Sequence, residues 1–150
     1  MDTFSLEFIG WFYTLVCAVA IAAGAAIMLF LHSTGRLQTR YKQYSIWNDI
    51  MLMVIWMIGL AGGVGVLDLS QWGQFLLQLF CWMLIALVTT SAASRLYAAH
   101  RLSKKITISP REWRGMIIGL TLMVVPIVLF CLATIASLRT EEARRAFGIH

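Results

Sequence analysis

Residues 8–31 read FIGWFYTLVCAVAIAAGAAIMLFL, twenty-four positions without one charged side chain. About 20 residues of helix, each rising roughly 1.5 Å, cross a hydrocarbon layer of about 30 Å. Three further uncharged runs follow, Ile50–Leu67, Leu69–Ser94 and Gly115–Leu138, so that each of the four holds 18 to 26 residues. Over 150 residues the chain is 60% hydrophobic and 13% charged, roughly half the charge of a soluble domain. That balance excludes a disordered chain, a disulfide scaffold and an ordinary soluble enzyme. The reading is one all-α integral membrane domain with spans near 8–31, 46–67, 73–94 and 115–138, joined by loops 32–45 and 95–114. Asp2 and Glu7 stand where a secretory signal carries basic residues, and Thr14-Leu15-Val16 before Cys17 lacks the small residue of a lipoprotein cleavage site. The first run is therefore expected to persist as a span.

Charge supplies an orientation. Arg36, Arg40 and Lys42 follow the first span, while Arg95, Arg101, Lys104, Lys105, Arg111 and Arg114 follow the third. Nine of the twelve basic residues thus occupy two short loops that must share a side. Short basic loops stay cytoplasmic, which puts both termini outside and implies a bacterial cytoplasmic (inner) membrane. Trp11, Tyr13 and Trp72 are expected at the outer interface, and Tyr41, Tyr44, Trp47, Tyr97 and Trp113 at the inner one. The net charge of +5 suits anionic inner-leaflet lipids, and the basic loops lack the pattern of a nucleic-acid module. No nucleic-acid partner is expected.

The two halves echo each other. Arg36-Leu37, Arg40, Trp47 and Met51 have counterparts in Arg101-Leu102, Lys105, Trp113 and Met116. A parallel repeat of two helical hairpins about an axis along the membrane normal would produce this. So would any four-span chain with this orientation.

Within lipid, helices associate through small residues and polar contacts. Ala18, Ala22 and Ala26 form such a stripe in the first span, Gly59 and Gly63 in the second, Ala86, Thr90 and Ser94 in the third, and Gly115 and Gly119 in the fourth. The Gly62-Gly63-x-Gly65 cluster is expected to loosen the outer end of span two, and Pro126 to bend span four.

Candidate chemistry is sparse. Asp49 lies nearest the membrane interior, where a carboxylate marks an ion or proton relay, although Trp47 places it near headgroup water. His32 and His100 sit at similar depth and are the weak candidates for a bis-His haem b. Cys17, Cys81 and Cys131 occupy three spans singly, without Cys-x2-Cys spacing, and read as small hydrophobes rather than an exposed thiol-oxidase pair. Gln74 and Gln78 share a helical face, suited to bonding a neighbouring helix or lining a polar entrance. No metal site, catalytic set or cofactor fingerprint is present, so neither metal nor cofactor is expected.

The function expected is that of a non-enzymatic subunit of a larger or homo-oligomeric inner-membrane assembly, in secretion, conjugation or transport. Arg36, Arg40, Lys42, Arg101, Lys104, Lys105, Arg111 and Arg114 would form its inner docking or lipid-binding face. The alternatives are a holin-like pore and a haem- or quinone-associated redox subunit. The layout is similar to small four-span proteins of secretion machines in span number and basic loops alone, and no functional residue carries over from that similarity.

Overall fold

A computed structural model of the chain describes residues 5–35, 46–103 and 110–148. Among these residues there is no strand. Helix α1 runs Leu6–Ser33, α2 Ile46–Leu67, α3 Gln71–Ser103, α4 Pro110–Leu138 and the short α5 Glu141–Ala146. Four of them are long and apolar enough to cross a membrane, so the chain is an integral membrane protein.

Local chemistry explains the helix ends. Ser5 caps α1 by accepting the Phe8 N–H at 3.2 Å, and Thr140 caps α5 by accepting that of Ala143 at 3.3 Å. Pro110 opens α4, a position where its missing N–H costs nothing. Between α2 and α3 the chain reverses in three residues. There the Ser70 N–H reaches the Gly65 carbonyl at 2.9 Å and the Leu69 N–H reaches that of Val66 at 3.1 Å. This is a Schellman closure in which Leu69, with φ +50°, fills the left-handed position usually held by glycine.

Contacts between neighbours run antiparallel. On α1 and α2, Gly10 meets Gly63 and Gly24 meets Met53; on α2 and α3, Gly59 meets Phe80 and Gly65 meets Gly73. Gln74 of α3 reaches Leu138 of α4. Ser5, the 68–70 turn and residues 139–148 therefore share one end, termed here the turn end. The opposite end, where α1 and α3 finish and α2 and α4 begin, is termed here the basic end.

The buried core occupies only the half nearest the turn end. Ile9, Gly10, Tyr13 and Cys17 are buried in α1, Ile55 to Val66 supply α2, Gly73 to Cys81 α3, and Cys131 to Leu138 α4. No described residue is buried in α1 beyond Cys17, in α2 before Ile55, in α3 beyond Cys81 or in α4 before Cys131. Both halves present apolar side chains outward, but only one also encloses a core. At the basic end the described residues enclose no core.

Several expectations change here. The third helix does not end near Ser94: its 33 residues run to Ser103, about 50 Å at the helical rise and far beyond a hydrocarbon layer. Arg95, His100 and Arg101 therefore stand on helix rather than in a loop, because SAASRLYAAHRL contains good helix formers and no breaker. The Gly62-Gly63-x-Gly65 cluster does not loosen α2. A Cβ on Gly63 would lie 2.8 Å from the Thr14 nitrogen, and one on Gly62 the same distance from that of Leu77. These glycines admit α1 on one side and α3 on the other.

Candidate functional site

Tyr13 organises the centre of the packed half. It is 3% exposed, its ring packed among the helices rather than turned outward. Trp11 and Trp72 do remain outside, the latter 76% exposed. A buried phenol needs partners for its hydroxyl, and two are present. Its oxygen lies 3.1 Å from Thr134 Oγ1 on α4 and 3.4 Å from Cys81 Sγ on α3. Thr134 Oγ1 in turn donates to the Phe130 carbonyl at 2.9 Å. That donation leaves Thr134 as acceptor, so the consistent assignment is Cys81 S–H to Tyr13 oxygen, then Tyr13 O–H to Thr134. Each bond polarises the next in this water-excluded interior.

Around the phenol stand aromatic rings and two further thiols. Phe80 meets Tyr13 edge-on with centroids 5.9 Å apart, and Phe130 lies at 6.0 Å. Cys131, three residues before Thr134 on α4, is buried in the same core as Cys81. A Cβ on Gly59 would meet Cys17 Sγ at 2.7 Å, so the third thiol seals the same layer. All three cysteines are buried and free. One per span, they are isolated in the sequence, and the antiparallel register gathers them into one core. The available signal was depth, since each cysteine lies at a comparable distance from the turn end.

A second polar tie closes that end. Gln74, buried, donates its Nε2–H to the Leu138 carbonyl at 2.6 Å, and Gln71 donates to the Phe147 carbonyl at 3.3 Å. A helix terminus leaves carbonyls without intrahelical partners, and Gln74 supplies one. Phe147 and Ala143 are buried, so α5 lies folded onto the bundle. Gln78, one turn from Gln74, is half-buried.

The remaining candidates disperse. Arg36, Arg40, Lys42, Lys104 and Lys105 lie outside the described residues, as does the side chain of Arg111. Arg101 and Arg114 are exposed, and the Arg101 guanidinium carbon sits 5.8 Å from the Tyr97 ring centre. His32 and His100 are both exposed rather than turned into a core, unlike ligands that face each other inside a bundle. Among the described residues no group of three His, Cys, Asp or Glu is placed to hold a metal.

Ala22 and Ala26 are exposed, so within this chain α1 packs on a different face from the alanine stripe. The contact line runs through Gly10, Thr14, Cys17 and Gly24. Spacing cannot rank two small-residue faces of one helix; burying the Tyr13 hydroxyl selects the second. Gly59 and Gly63 are packed, whereas a Cβ on Gly115 or Gly119 meets nothing within 4 Å among the described residues. Pro126 is exposed and marks the change along α4 from the bare stretch to the packed one.

No family model, curated protein or solved structure matches this chain.

Toward the basic end, α1 and α2 together line a cavity of about 160 Å³. Ala20, Gly24 and Met28 line one wall and Asp49, Met53 and Trp56 the other. Asp49 is half-buried there, at the first turn of α2.

Proposed function

We propose that this protein is a non-enzymatic subunit of a larger or homo-oligomeric assembly in a bacterial inner membrane, with both termini outside and a basic cytoplasmic face. One observation carries the reading: the core fills only the turn-end half, and at the basic end all four helices present apolar surface with none of the described residues buried. Ile118 and Leu122 of α4 are 63% and 75% exposed, beside the unfilled Gly115 and Gly119. Small residues permit close approach of another helix, which is how association gains contact in lipid. The occupant is a transmembrane helix, from a second copy or from another subunit of a secretion, conjugation or transport machine. The basic segments beside this open half supply docking contacts to anionic headgroups or to that partner.

Photo-crosslinkers placed singly at Ile118 and Leu122 in native membranes test this. Adducts to a second copy or to a membrane protein are expected. Adducts to lipid alone, with a monomeric native mass in mild detergent, would overturn it.

A further inference from the structure

The cavity of about 160 Å³ between α1 and α2 lies outside the packed core and holds one ionisable lining residue, Asp49. An apolar cavity of about 150 Å³ accepts benzene, so this space takes a group of roughly six to eight non-hydrogen atoms. Gly24 makes the room, since a Cβ there would already stand 3.7 Å from the sulfur and methyl of Met53. On α2, Asp49, Met53 and Trp56 recur at the spacing that places side chains on one helix face, about 10 Å from first to last. Trp56 is braced by Phe80, with ring centroids 5.8 Å apart. Trp47, 71% exposed, stands two residues before Asp49 and sets that end of the cavity near headgroup depth.

A carboxylate among apolar walls selects a cation and restricts its kind. Calcium takes six to eight oxygen ligands and magnesium six, whereas this lining offers one carboxylate beside carbon and two thioethers. A charge carried on a small carbon body matches it better. The ammonium hydrogens bond the carboxylate, thioethers adapt to the carbon body, and an indole face attracts the adjoining positive charge. We propose that this cavity binds a compact organic ammonium group, its nitrogen at the Asp49 carboxylate and its carbon body against Met53 and Trp56. Two sources share that chemistry, the ethanolamine headgroup of a lipid and a free primary amine. One chain forms the whole cavity, so its occupancy is independent of any assembly.

The test uses the full chain in neutral detergent. Equilibrium dialysis compares benzylammonium with benzyl alcohol, a neutral probe of the same size. Benzylammonium should bind, Asp49→Asn should weaken it at least about tenfold, and Asp49→Glu should retain it. Benzyl alcohol should bind less tightly and ignore Asp49→Asn. In a second arm, native mass measurement follows lipid retention from an equimolar mixture of phosphatidylethanolamine and phosphatidylglycerol. Retention of phosphatidylethanolamine that disappears in Asp49→Asn, without benzylammonium binding, identifies the lipid as the source; binding of benzylammonium without that retention identifies a free amine. Equal binding of benzylammonium by the wild type and Asp49→Asn would overturn the proposal, as would failure of both arms in the wild type. Gly24→Leu keeps the carboxylate and fills the space, so binding that survives it would overturn the placement.

Discussion

Tyr13 Oη on α1 stands 3.1 Å from Thr134 Oγ1 on α4, beside the ring contacts of Phe12 and Tyr13 with Phe130. Through this bond, and the 3.4 Å contact to Cys81, a single phenol joins three helices. Hydrogen bonds between membrane helices average about 0.6 kcal/mol and reach about 1.7. Tyr13→Phe keeps the ring contacts and removes both, so it should lower stability by about 1 kcal/mol in denaturant-micelle unfolding. Thr134→Val should cost a similar amount, and the double variant less than the sum. Full additivity would show that the bond contributes nothing.

Gly65 and Gly73 make the closest approach between α2 and α3, where a Cβ on Gly65 would fall 2.5 Å from the Gly73 Cα. Gly73→Ala must push the two backbones apart and should cost about 1–3 kcal/mol, as overpacking does. Gly119→Ala is the contrasting change. With open space at that Cβ, it should be neutral or gain up to about 1 kcal/mol from helix propensity. Thermal unfolding of both variants in one detergent makes the comparison.

Gln74 closes the end of α4 by donating to the Leu138 carbonyl. Gln74→Ala leaves a buried carbonyl without that donor, at a cost of about 1–3 kcal/mol. The tail should then lift, and limited trypsin digestion should cut after Arg139 and Arg144 faster than in the wild type. An unchanged digestion rate would place the hold on α5 elsewhere, in Phe147 and Ala143.

Charge reversal at the basic end tests the orientation and the docking face together. Arg101→Glu with Lys104→Glu and Lys105→Glu removes half the basic residues between spans three and four. Reporter fusions at the C-terminus should then show partial inversion, or co-purifying subunits should be lost. Unaltered topology with normal assembly would remove this segment from the docking face.

The four spans were legible because the bilayer filters sequences coarsely: a run without charge and long enough to cross has few other uses. The positions of Gly59 and Gly63 were legible for a related reason, since glycine at four-residue spacing in lipid marks close packing. The thiol and phenol cluster was not. Tyr13 belongs to a residue type that suits either headgroup depth or a satisfied interior, and only its partners on α3 and α4 separate the two. Cys81 and Cys131 are fifty positions apart in the chain, and no local pattern encodes which helix faces bring them together.

Composition and span length alone determined that this chain lives in a membrane as four helices, because backbone hydrogen bonding in hydrocarbon leaves no other economical form for such runs. Charge placement separated the two ends. Tertiary structure decided the rest: which small-residue face of α1 is buried, that three solitary cysteines share one layer, and that the core stops halfway down. Those outcomes follow from helix rotation and crossing. Both are set by long-range contacts, Tyr13 with Thr134 and Gly65 with Gly73, which no single stretch of sequence contains.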